Sequence, residues 1–143
     1  NTFDIPERLI KKTDGSYALS GYSFNSSGEI ESSWIINSDV SGNELLTIII
    51  SGDNYAYDLI ENSNGEYIII GKKFSIDDYQ GWIACVDIQG NIVWEKIYGD
   101  GDNAIFRSIK QTSDGGFIIT GEAQTDGISS ILHAKTDPDG NIY

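Results

Sequence analysis

An all-β fold is what this sequence predicts, and three observations carry the prediction. Of the apolar residues 24 are Ile, against 6 Leu, 6 Ala and no Met. Ala, Leu and Met are the good helix formers, whereas β-branched side chains fit a pleated sheet. The chain also holds 16 Gly, 16 aromatic residues and only 2 Pro, a composition that rules out a helical bundle. Finally, the pattern Asp-Gly or Asn-Gly between apolar stretches recurs at a spacing of about fifty residues.

The elements follow from that repetition. Leu9 to Gly21, Leu59 to Gly71 and Ser108 to Gly121 align with one another, centred on Asp14-Gly15, Asn64-Gly65 and Asp114-Gly115. Such dipeptides are the strongest short hairpin signal, because both turn positions must tolerate positive φ. A second motif follows each first one: Trp34 to Asn43, Trp82 to Asn91 and Leu132 to Asn141 share an Asp-x-x-Gly-Asn core. The Asp side chain of that core can accept from backbone amides two residues on, which again makes a turn. Further strands are expected at Leu45 to Ile50 and at Ile92 to Tyr98. Each copy thus reads as four strands, A to D, in two hairpins joined by about ten residues. The boundaries are 1–52, 53–101 and 102–143 within one domain, 1–143. The third copy ends at Tyr143 with its D strand cut short, so one outer edge is expected to be unpaired.

Three copies of a four-stranded unit suit two architectures. Radial stacking of four-stranded sheets gives a β-propeller; three copies closing on a three-fold axis give a β-trefoil. Runs such as Ile68-Ile69-Ile70 and Ile118-Ile119-Thr120 barely alternate, so both sides of those strands should be covered. That favours propeller-like packing of three four-stranded antiparallel blades, the last incomplete, with the trefoil as the alternative.

Charge restricts the partners. The chain carries 22 Asp+Glu against 9 Lys+Arg, a formal net charge of −13. Nucleic acids and anionic membranes attract basic surfaces, so neither nucleic-acid binding nor membrane insertion is expected. The single cysteine, Cys85, has no partner for an internal disulfide. No signal peptide is present and the chain begins at Asn1, which leads us to expect a processed or excised segment.

No catalytic motif emerges. The only histidine, His133, occupies the slot of Ile35 and Ile83, and no G-x-S-x-G elbow accompanies it. Asp137-Pro138-Asp139-Gly140 resembles the start of a calcium loop but has no downstream bidentate Glu, so it is read as a turn; Asp100 to Asn103 is read as a solvated loop. No metal and no cofactor are expected. A residue that recurs in all copies solves a shared packing problem, so function is sought where the copies differ. The B-to-C connections differ most: Tyr22 to Ser33 with Glu29 and Glu31, Lys72 to Gly81 with Asp77, Asp78 and Tyr79, and Glu122 to Ile131. Acidic groups beside an aromatic suit sugar hydroxyls or a basic protein surface. These five residues are the candidate ligand contacts, for a carbohydrate or a protein.

The residues also resemble a known family. Ser-Asp-Gly-Gly-Phe-Ile-Ile-Thr-Gly (Ser113 to Gly121) and the stretch from Gly81 to Gly99, which ends Trp-Glu-Lys-Ile-Tyr-Gly, are similar to β-propeller repeats of about fifty residues. Those repeats occur in exported and cell-surface bacterial and archaeal proteins. The resemblance covers nearly the whole chain and implies four-stranded blades and an extracellular or cell-surface location. It implies no particular activity, because the repeats are a scaffold. The first copy departs from the pattern, replacing that ending with Leu46 to Ser51. The expectation is a noncatalytic propeller segment for recognition or scaffolding. The alternatives are a glycan-active enzyme using loop carboxylates and a structural unit that closes its ring with further copies of itself.

Overall fold

A computed structural model describes residues 2–75, 78–99 and 103–143. Eleven strands run in chain order: β1 (Thr2–Lys11), β2 (Tyr17–Asn25), β3 (Ile30–Ser38), β4 (Glu44–Ser51), β5 (Asn54–Glu61), β6 (Tyr67–Phe74), β7 (Tyr79–Val86), β8 (Ile92–Tyr98), β9 (Asn103–Gln111), β10 (Phe117–Thr125) and β11 (Ile128–Thr136). No helix occurs among the described residues, and hence none long and apolar enough to cross a membrane. The strands form three separate antiparallel sheets, β1-β2-β3-β4, β5-β6-β7-β8 and β9-β10-β11. Among the described residues the third sheet has no fourth strand, and beyond β11 there is an isolated bridge, Thr136 to Ile142.

Positions about fifty residues apart occupy the same register. Leu9 pairs with Leu19, Leu59 with Ile69 and Ile109 with Ile119. The first hairpin of each sheet turns through a glycine at positive φ, Gly15, Gly65 and Gly115, as the Asp-Gly and Asn-Gly pairs require. In the turns that follow β3, β7 and β11, Asp39, Asp87 and Asp137 each accept the backbone N–H of residues two and four ahead, at 2.8–3.0 Å. The Asp137-Pro138-Asp139-Gly140 stretch is therefore a turn of this kind, its carboxylate directed to its own backbone.

The strands are longer than the sequence led us to expect. The connections read as ten-residue loops shrink to residues 26–29, 75–78 and 126–127, because the second and third strands of each sheet stay paired as far as Phe24–Ile30, Phe74–Tyr79 and Thr125–Ile128. Once a hairpin ladder has formed, each further pair satisfies two backbone groups, so polar side chains at the strand ends do not stop it. Glu31 and Tyr79 consequently lie on strands.

Core formation follows from the alternation of side chains across a strand. On one face of the middle sheet Tyr67, Ile69, Trp82, Ala84 and Val86 pack with Ala18, Ile35, Ile48 and Ile50 of the first sheet. On its other face Ile68, Ile70, Ile83 and Cys85 pack with Phe106, Ile109, Phe117 and Ile119 of the third. All three members of Ile68-Ile69-Ile70 are buried, which explains their lack of alternation. Fully burying each contributes about 1.5–3 kcal/mol. In Ile118-Ile119-Thr120 the expectation fails: only Ile119 is buried, since the third sheet is covered on one side. The edge strands β1, β5 and β9 lie side by side, β5 between the other two.

Candidate functional site

Each of these edge strands carries a bulge at the same level. Pro6 and Arg8 pair with Gly21 and Ser20, leaving Glu7 outside the ladder. Ala56 and Asp58 pair with Gly71 and Ile70, leaving Tyr57. Phe106 and Ser108 pair with Gly121 and Thr120, leaving Arg107. A bulge re-aims its extra side chain away from the regular pleat. The sites where it does so here hold an acid, a phenol and a guanidinium.

Around Tyr57 the side chains form a continuous aromatic and ionic group. Tyr57 stacks on Tyr55 at 6.3 Å between centroids, and Tyr22 meets both edge-on at 4.9 and 6.1 Å. The Arg107 guanidinium sits 4.7 Å over the Tyr57 ring and binds the Glu122 carboxylate at 2.6 Å. Lys72 Nζ lies 4.4 Å from the Tyr55 centroid and 4.1 Å from that of Tyr79. Tyr79 in turn packs edge-on against Phe74 at 5.3 Å. The group thus spans all three sheets, and cation–π contacts hold its two cations in place.

Burial sets its protonation. Desolvation pushes the hydroxyls of Tyr22, Tyr55 and Tyr57 above the ordinary phenol range. Desolvation, with the nearby Arg107 charge, lowers Lys72 despite the opposing pull of Glu122. At neutral pH the tyrosine hydroxyls are therefore protonated and able to donate hydrogen bonds, beside the rings that the cations cover. Such a surface suits the alternating C–H and O–H character of a sugar or an amphipathic peptide side chain.

A cleft of about 450 Å³ adjoins the group on the side of the β2–β3 turn, lined by Asn25, Glu29, Ile30, Asp53, Tyr55 and Phe74. Another of about 530 Å³ adjoins it at Arg107 and Glu122, with Ser129, Ser130 and Ile131 on its far wall.

The structure brings some of the sequence-predicted residues together and leaves others apart. Glu29, exposed in the β2–β3 turn, lines the first cleft; its carboxylate accepts from Asn25 Nδ2 at 2.9 Å. Tyr79 is half-buried at the start of β7, and its backbone N–H donates to Asn103 Oδ1 of the third sheet at 3.0 Å. Phe74 links the two, as it lines the cleft and packs on Tyr79. Asp78 closes the β6–β7 turn through its backbone, its carbonyl accepting from Ser75 N–H at 2.8 Å. Glu31 is exposed on β3, one residue beyond Ile30. Asp77 lies outside the described residues, as do Asp100 and Asp102.

Tyr55, Tyr57 and Arg107 escaped the sequence reading because variation was sought only in connections, whereas Tyr22, Lys72 and Glu122 open the connections as they were bounded there and were passed over for the acidic residues further along. The signal was nevertheless present: the slots 5/55/105, 7/57/107 and 22/72/122 hold Ile/Tyr/Ile, Glu/Tyr/Arg and Tyr/Lys/Glu. Those are strand positions at which the three copies differ.

Among the described residues no group of three or more His, Cys, Asp or Glu side chains is placed to hold a metal ion. His133 is exposed on β11, and burial, aided by Glu66, pushes the Cys85 thiol up to about 12. A scan against models of known protein families finds no match for the chain, and a search of curated proteins finds none.

Proposed function

We propose that this chain is a noncatalytic β-propeller segment of an exported or cell-surface protein, and that it recognises a carbohydrate or protein ligand at the tyrosine group on its inner strands. One observation carries the reading. The side-by-side strands β1, β5 and β9 bulge at equivalent places, and the residues set outside the ladder there, Glu7, Tyr57 and Arg107, differ from sheet to sheet. Three separate sheets stacked face to face, with no strand pairing between them, support propeller packing over the trefoil. Residues Glu29 and Asp53 beside Tyr55 and Phe74 supply acceptors and an apolar floor for the ligand.

The test is a titration of the chain with neutral and acidic oligosaccharides and with basic peptides, followed by tyrosine fluorescence and calorimetry. Binding by one class is expected, weakened at least about tenfold by Tyr57→Ala and by Glu29→Gln, as for anchor residues in general. A flat response across the whole panel overturns the reading.

A further inference from the structure

Among the described residues two sheet faces have no covering sheet, and they are the two halves of a junction that the fold already builds twice. On the first sheet the open face consists of three cross-strand rows: Lys11–Tyr17–Ser38–Glu44, Leu9–Leu19–Ile36–Thr47 and Pro6–Gly21–Trp34–Ile49. The matching rows of the middle sheet, among them Leu59–Ile69–Ala84 and Ala56–Gly71–Trp82, are buried under the first sheet. On the third sheet the open face consists of Lys110–Ile118–Lys135, Ser108–Thr120–His133 and Ile105–Glu122–Ile131. Its counterparts are the rows by which the first sheet covers the second, and the second the third.

The open face of the first sheet carries the marks of an unfinished contact. Leu9 and Ile49 are 59% and 56% exposed. Trp34 is 7% exposed, yet its indole N–H has no acceptor among the described residues. Its counterpart Trp82 donates to Glu95 at 3.1 Å. A buried donor without an acceptor costs about 1–3 kcal/mol, so whatever covers this face gains by presenting one.

We infer that the occupant is the third sheet of a second copy of this chain, docked head to tail. The two existing junctions show what pairs with what. Tyr67 donates to Asn37 across the first; in the second, Phe117 and Cys85 hold those slots. The new junction sets Tyr17 opposite Lys135, a polar pair again. At the inner strands the Ser33 hydroxyl donates to the Asn54 carbonyl of β5 at 2.8 Å, and the Phe106 ring lies over Gly81, where an added Cβ would come within 2.9 Å of it; at the new junction Ile131, which holds the slot of Ser33 and Gly81, would meet Pro6, which holds that of Phe106. The ion pair between Arg8 and Asp58 and the hydrogen bond from Ser108 to Asp58 are succeeded by Ser108 against a second copy's Arg8. Ser108, Thr120 and His133 offer acceptors to the Trp34 N–H. Lys11 and Glu44 end the tyrosine row with both signs, and Lys110 with the Asp114-bound Lys135 brings both signs to it.

Sedimentation velocity over a concentration series tests this on the chain as it stands. Mass above the monomer is expected at the high-micromolar end, whether as a closed pair or as a growing array; both need the same contact. Ile49→Arg and Ile131→Arg, at positions 56% and 90% exposed and therefore tolerated by the fold, each abolish it alone. An equimolar mixture of the two variants recovers a two-copy species, since one spoils only the receiving face and the other only the arriving face. A chain monomeric throughout overturns the inference, as does a pair that Ile131→Arg leaves intact and mixing does not restore. The inference rests on the stacking reading above, and the two fail differently: a monomer that still binds a ligand at the tyrosine group refutes the docking and leaves recognition standing.

Discussion

Arg8 of the first sheet reaches the Asp58 carboxylate of the second at 3.0 Å, and the other oxygen of that carboxylate accepts the backbone N–H of Ile109, in the third, at 3.0 Å. Asp58 is buried, so one side chain in the middle of the molecule ties all three sheets. Asp58→Ala should cost about 2–4 kcal/mol, because it orphans a buried amide and opens a gap. Arg8→Ala should cost about 1–2 kcal/mol, since the carboxylate keeps its backbone and serine donors. Urea unfolding of the two variants checks the order; an Arg8→Ala loss as large as that of Asp58→Ala would contradict it.

Tyr67 and Tyr17 provide a matched comparison. The Tyr67 hydroxyl donates to Asn37 Oδ1 in the first junction, whereas Tyr17 sits at the equivalent slot on the open face. Tyr67→Phe leaves a buried amide oxygen unpaired and should cost about 1–2 kcal/mol. Tyr17→Phe in the monomer should stay within about 0.5 kcal/mol of the unaltered chain.

Acid should weaken the fold through its turn aspartates. Hydrogen bonds from Asn43, Asn91 and Asn141 hold Asp39, Asp87 and Asp137 below the usual carboxylate range. Thr112 and Lys135, with Gly116 N–H, do the same for Asp114. A carboxylate whose folded pKa is depressed adds stability above its unfolded pKa of about 3.9, and that stability is lost as pH falls toward the folded value. Thermal midpoints should therefore be flat from neutrality to about pH 5 and fall below about pH 4. Replacing the four aspartates by Asn should flatten that acid limb.

Cys85 should report opening of the core. It is buried between the second and third sheets, and its thiol is pushed up to about 12. A thiol reagent at pH 8 meets little thiolate and no access, so modification should proceed at the rate of unfolding and become immediate in denaturant. Fast labelling of the folded chain would show that the second junction breathes.

How much of this was legible beforehand varies with the physics involved. The turns at Asn64-Gly65 and Asp87 to Asn91 were plain, because positive φ and Asx capping are local demands that only a few residues meet. Sheet membership was plain too: the run Ile68-Ile69-Ile70 needs cover on both sides and receives it. Strand ends were not, since Glu31 and Tyr79 continue a ladder held by backbone pairing, which leaves no mark on side-chain type. Glu29 was found, together with Glu31, as an acidic residue of a connection that varies between the copies. Its companions Tyr55, Phe74 and Asp53 come from another sheet, and only packing brings them near. Tyr57 and Arg107 were hidden by their regular strand surroundings until the bulges set them apart.

The alternation of Tyr67–Asn37 with Phe117–Cys85 bears on how such a chain can lengthen. Duplicating the middle unit in tandem would set Tyr67 of the new copy against Cys85 of the old, burying a hydroxyl beside a weak acceptor. Removing the middle unit would set Phe117 against Asn37 and leave an amide oxygen dry. The three units are therefore not interchangeable parts: each seam fixes which neighbour can follow, and insertion or deletion of a unit is costly unless the residues at the seam change with it.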